Sequence, residues 1–245
     1  MKLTLKFFFV LIASLSMALP VEALMIEENN LRFKPDMKAL MKGDIQYSFN
    51  LLSAKELLGK FPEAVELDSL TALKEKKVKI LMTKAIYVVD KPVGFFDHEH
   101  MKDENYIAHI MGDQEVKKLN SNTFKVTVPG ESGHSYKMKT FFDSDDISTL
   151  PNPRTIRGVS AARKLDVISM SASSIVFKEF TAFSKYTVSG TTVHSYISLK
   201  EGKTLVISYR LMAVKKYYAL DKLLKSNYLN ETAALKTLIG SFQEK

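Results

Sequence analysis

From residue 78 onward the chain is a succession of short alternating runs cut by turn signals, and it closes on one long amphipathic stretch. Residues 78–89 put Val78, Ile80, Met82, Ile86 and Val88 on one face of a strand and Lys79, Thr83 and Tyr87 on the other, until Pro92 and Gly94 end it. Runs at 123–128 and 134–142, joined by Pro129-Gly130-Glu131-Ser132-Gly133, predict a hairpin. Three more strands are expected at 174–188, with a break near Thr181, at 191–199 and at 204–214, the last two joined by Lys200-Glu201-Gly202-Lys203. Strands this close, with turns this short, pair antiparallel. From 217 to 242 apolar residues recur at Tyr217, Leu220, Leu224, Tyr228, Leu235, Leu238 and Phe242, in helical steps along one face. Glu231 interrupts that stripe where an apolar residue is expected. The fold class is α+β, with an antiparallel sheet and a C-terminal helix to cover it.

Ahead of this block, residues 24–77 are mixed. Residues 44–51 alternate as a strand, and Ser53-Ala54-Lys55-Glu56 reads as a capping box opening a helix that Pro62 stops. Residues 68–76 are a second helical candidate. Residues 95–112 are irregular, polar and histidine-bearing, 143–146 form an acidic turn, and 150–158 a Pro/Arg loop. One domain over 24–245, with 24–77 as an N-terminal extension, accounts for the whole.

Met1 to Ala23 set the expected compartment. Lys2 and Lys6 supply a positive start, residues 7–17 an apolar core, and Val21-Glu22-Ala23 a small-x-small exit, the pattern of a secretory signal peptide cleaved before Leu24. An uncleaved anchor is the alternative, but the apolar run falls short of the roughly 20 residues a spanning helix needs. There is no cysteine, which excludes disulfides, thiolate chemistry and a lipoprotein anchor. An exported chain without disulfides depends on an ordinary core, which suits a periplasm. The net charge of +8 comes from scattered lysines. It permits transient contact with an anionic membrane surface, while no nucleic-acid motif is present.

The stretch Ile86-Tyr87-Val88-Val89-Asp90-Lys91-Pro92-Val93-Gly94-Phe95-Phe96 resembles the opening strand and helix start of the START-like and Bet v 1-like helix-grip superfamily. Asp103-Glu104-Asn105-Tyr106-Ile107-Ala108-His109-Ile110-Met111 is similar to its D-x-x-N-Y-x-x-W-M stretch, with His109 near the usual tryptophan. Thr192-Val193-His194-Ser195-Tyr196 and Thr204-Leu205-Val206-Ile207-Ser208-Tyr209 resemble its last two strands. The resemblance spans 78–242 and leaves 24–77 outside it. It implies a curved antiparallel sheet gripping the C-terminal helix, with a cavity for lipids, sterols or other apolar molecules, often without catalysis. Tyr136, Met138, Phe177, Tyr196, Tyr209, Leu224 and Tyr228 are the candidate lining residues, weighed against service as plain core.

Asp97-His98-Glu99-His100, with Asp103 and His109, is the one dense set of metal-ligand types. Its spacing is not H-E-x-x-H, so neither a metal nor any other cofactor is expected. Gly130-Glu131-Ser132-Gly133-His134 lacks the nucleophile-elbow pattern and reads as a turn. Arg154 and Arg157, with Arg163, follow Pro151 and Pro153, and a loop rich in arginine can hold a headgroup carboxylate or phosphate. The expectation is an exported, non-catalytic protein that binds a hydrophobic small molecule or lipid. The alternatives are a hydrolase or cyclase working through His98, His100 or His109, and an envelope interaction domain.

Overall fold

Residues 24–26, 31–60, 78–112, 114–127, 135–142, 144, 171–181, 187–215 and 221–243 are described in the computed structural model. The strands are β1 (Leu24–Ile26), β2 (Ile45–Leu52), β3 (Val78–Val89), β4 (Glu115–Asn120), β5 (Thr123–Thr127), β6 (Ser135–Phe142), β7 (Ser174–Thr181), β8 (Thr187–Ser198) and β9 (Thr204–Lys215). They form one sheet in the order β1-β2-β3-β9-β8-β7-β6-β5-β4. Every pairing is antiparallel except β1 with β2, which is parallel. The described helices are α1 (Met37–Met41), α2 (Ala54–Lys60), α3 (His98–Met101), α4 (Glu104–Ile110) and α5 (Asp221–Ser241).

Local chemistry explains where these elements begin. At α2 the Ser53 backbone N–H donates to Glu56 Oε2 at 2.7 Å and the Glu56 N–H donates to Ser53 Oγ at 3.3 Å, the reciprocal capping box read in the sequence. Asp36, Asp97 and Asp103 cap α1, α3 and α4 by accepting from backbone N–H groups of the first turn. Residues 95–112, expected to be irregular, therefore hold two short capped helices. The expected run over 174–188 is interrupted where a break was expected: β7 stops at Thr181, β8 starts at Thr187, and the two pair antiparallel. β4 carried no hydropathy signal, because as an edge strand it is solvated along its length and exposes even Leu119. The expected helix over 68–76 lies outside the described residues.

Side-chain parity sorts the sheet into two buried faces. On the outer face Val78, Ile80, Met82, Ile86 and Val88 of β3 join Ile207, Tyr209 and Leu211 of β9, and Leu31, Phe33, Leu40 and Leu57 from the N-terminal segment cover them. On the inner face Leu81, Ala85, Tyr87 and Val89 join Val206, Met212 and Val214, under α3, α4 and α5. Lys84 is fully buried on the outer side, its Nζ donating to the Phe33 carbonyl at 3.1 Å and lying 4.3 Å from the Phe33 ring centre. The N-terminal segment is thus part of the sheet and of its outer cover.

Along α5 the residues turned to the sheet are Tyr228, Thr232, Leu235, Ile239 and then Phe242 beyond the helix end, in steps of four, three, four and three. Ile239, not Leu238, sits on the buried side. The Leu238 carbonyl instead accepts from His109 Nε2 at 2.9 Å, and Lys91 Nζ donates to the Phe242 carbonyl at 2.6 Å. These contacts tie the end of α5 to α4 and to the end of β3.

Candidate functional site

The inner face carries a polar row where apolar residues are the rule. Antiparallel register puts Thr140 of β6 opposite Lys178 of β7, Lys178 opposite Thr192 of β8, Thr192 opposite Arg210 of β9, and Arg210 opposite Thr83 of β3. Residues directly opposite in such a ladder have Cβ atoms about 5 Å apart, so the row is continuous. In the next row His194 lies between Val176 and Ser208. Thr83, Thr140, Lys178, Thr192, His194 and Ser208 are all buried.

Only part of this row is neutralised. Arg210 Nη1 donates to Glu231 Oε2 of α5 at 2.6 Å, and the guanidinium lies 4.8 Å from the Tyr228 ring centre. Glu231 is the residue that interrupts the apolar stripe of α5, and its acceptance of Arg210 explains why a carboxylate stands there. Burial opposes the charge on Arg210, but Glu231, with Tyr228 and Tyr47 adding to it, outweighs burial and holds the guanidinium protonated. Lys178 has no such partner among the described residues. Burial first, then the nearby Arg210 charge, pushes its ammonium down to about 8. The same burial, with Lys178 and Arg210 adding to it, pushes His194 well below its ordinary value, so its ring is neutral. Thr140 Oγ1, His194 Nδ1 and the Tyr87 hydroxyl are buried without a hydrogen-bond partner.

Aromatic rings frame the row. Tyr196 is stacked on Phe96 at 4.1 Å between centroids and lies 6.1 Å from the His194 ring. Of the lining residues expected from sequence, Tyr196 and Tyr228 face this interior. Tyr136 and Met138 share the same face but pack with Ile107, Phe124 and Val126 beneath α4, and the Tyr136 hydroxyl donates to Met111 Sδ at 3.6 Å. Tyr209 is corrected: it belongs to the outer cluster, because β9 is apolar on both faces and its parity is decided only by pairing with β3 and β8. Phe177 and Leu224 lie in β7 and α5, and their side chains, like all of Arg154 and Arg157, fall outside the described residues. Lys178, His194 and Arg210 were not singled out from the sequence. The signal for them was a breach of pattern, a lysine between Val176 and Phe180 on one face of β7, and Glu231 in the stripe of α5.

The histidines noted in the sequence belong to α3 and α4. His98 stacks on Phe142 at 3.9 Å and bonds Ser144, His100 Nδ1 lies 2.9 Å from Asp97 Oδ1, and His109 reaches the end of α5. Among the described residues no three His, Asp or Glu side chains gather as metal ligands. Nor, among them, is any helix long and apolar enough to cross a membrane.

With β3 paired to the last strand, the two short helices between β3 and β4, and the last helix laid on the inner face, the chain has the helix-grip fold of START-like and Bet v 1-like proteins. No protein-family model and no curated protein matches the sequence. Among solved structures it is similar to norcoclaurine synthase from Thalictrum flavum, at 9% identity and a TM-score of 0.42 over 69% of this chain and 99% of that one. It is also similar to a START superfamily protein from Mycobacterium smegmatis, at 12% identity and a TM-score of 0.39 over 65% and 94% of the two chains. A third is Ara h 8.0201, at 12% identity and a TM-score of 0.35 over 66% and 99%. At these identities no residue's role is carried across.

Proposed function

We propose that this is an exported protein that holds a small, largely apolar molecule between the inner face of its sheet and α5, without transforming it. The observation that carries this reading is the set of buried polar atoms without partners on that face, Thr140 Oγ1, His194 Nδ1 and the Tyr87 hydroxyl, set among Tyr196, Phe96 and Tyr228. Leaving such groups dry and unpaired costs about 1–3 kcal/mol each, a cost that a ligand or bound water removes. Lys84 on the outer face is satisfied by the Phe33 carbonyl, whereas Lys178 on the inner face has no such partner among the described residues, which a plain core would leave as an uncompensated cost. Hydrolase or cyclase chemistry through His98, His100 or His109 is the weaker reading, since His100 is paired with Asp97, His109 is bonded to the end of α5, and His98 is stacked on Phe142.

Native mass spectrometry of the protein isolated from the periplasm of its own cells, followed by denaturation, tests the binding reading. A passenger released on unfolding supports it; an unliganded protein that also takes up no hydrophobic probe refutes it. Export is tested separately. N-terminal sequencing of the secreted form is expected to begin at Leu24 or within a residue or two, and an intact Met1 on exported protein would refute cleavage.

A further inference from the structure

We propose that the corner formed by Lys178, Thr140 and His194 is a subsite for the carboxylate head of an amphipathic ligand whose apolar body lies along the aromatic inner wall. This rests on the reading that the gripped face holds a ligand, and it names the chemistry of one end of that ligand. Lys178 and Thr140 are directly opposite across β6 and β7, and His194 is on the neighbouring strand one row away, so the three converge on one spot of the sheet. All three are more than nine-tenths buried.

The charges decide the class of head. Arg210 and Glu231 cancel one another at 2.6 Å, which leaves Lys178 as the uncompensated charge of the row among the described residues. A single buried positive charge is balanced by a singly charged anion; a phosphate dianion would reverse the imbalance. The hydrogen-bonding groups agree. An ammonium, a hydroxyl and a neutral imidazole N–H are three donors, and a carboxylate is an acceptor with two oxygens to share among them. An alcohol or ketone head would use fewer of these donors and leave the ammonium unmatched.

The test compares ligands that differ only in the head: dodecanoate against 1-dodecanol, and 2-naphthoic acid against 2-naphthol. Binding is measured by calorimetry on the mature protein and on Lys178→Met. The acid of at least one pair should bind about tenfold or more tightly than its alcohol, and Lys178→Met should abolish that preference while alcohol binding persists. Wild-type protein supplies a second readout that needs no variant. The preference should fade as pH rises past about 8, where Lys178 loses its charge. Among the described groups near Lys178, His194 is already neutral there, Arg210 stays charged, and burial holds Tyr87 and Tyr196 protonated. Equal binding of acid and alcohol would overturn the subsite and leave the reading of a ligand-binding face standing. Failure of all four compounds to bind would overturn both readings. An acid preference that survives in Lys178→Met and does not fade with pH would place the anion elsewhere and overturn the assignment.

Discussion

His194 shows how one side chain ties burial to pH. Its ordinary value is 6.5 and the folded protein lowers it well below that, so on acidification the unfolded chain takes up a proton first. Its contribution to stability is therefore complete above pH 6.5 and is lost as pH falls beneath it. Thermal melts between pH 7 and 5 should show a falling midpoint, and His194→Gln should flatten that dependence. Lys178 has the same sign at higher pH: its charge is disfavoured in the fold, so stability should rise from about pH 8 towards 10. The Arg210–Glu231 pair belongs to this scale too. Both side chains keep 22% of their exposure, so removing one partner should cost about 1–3 kcal/mol, below the penalty for a fully dry pair. Denaturant unfolding of Glu231→Gln, Arg210→Met and the double variant should show coupling, the double change costing less than the sum of the two single ones.

At the scale of elements, caps and buried faces carry separable shares of stability. Ser53→Ala removes one half of the capping box of α2 and should cost about 1 kcal/mol, read from chemical denaturation. Ile239→Ala, at 3% exposure on the gripping side of α5, should cost about 2–5 kcal/mol, whereas Leu238→Ala, on the less buried side, should cost less. Equal costs at the two positions would contradict the helix rotation described here. The capping box and the long strand β3 were legible in the sequence because each is a local pattern: a hydroxyl and a carboxylate three residues apart, and an unbroken run of β-formers. The edge strand β4 was not legible. Its place comes from pairing with β5 and from contacts to α4, where the Lys118 backbone N–H donates to Glu104, and its largely solvated residues leave little hydrophobic trace.

Across the whole molecule, the N-terminal segment gives the sheet a covered outer face. Leu40 and Phe33 pack against β3 and β9, and Lys84 is sealed beneath Phe33. Leu40→Ala should destabilise by about 2–5 kcal/mol while leaving ligand binding at the inner face unchanged, since the sheet separates the two clusters. A loss of binding in step with stability would show that the two faces are not independent. The sequence by itself determined the class of fold, an antiparallel sheet followed by a long amphipathic helix, because strand and helix periods are written in local hydropathy. It also marked Glu231 as out of place. Tertiary structure decided what that residue is for, and which face of β9 bears Tyr209 and which bears Arg210. A strand buried on both sides has apolar residues at either parity, so only its neighbours' register assigns its faces. The polar row is the product of that register: five residues from five strands, far apart in the chain, each unremarked alone and continuous only when the sheet aligns them.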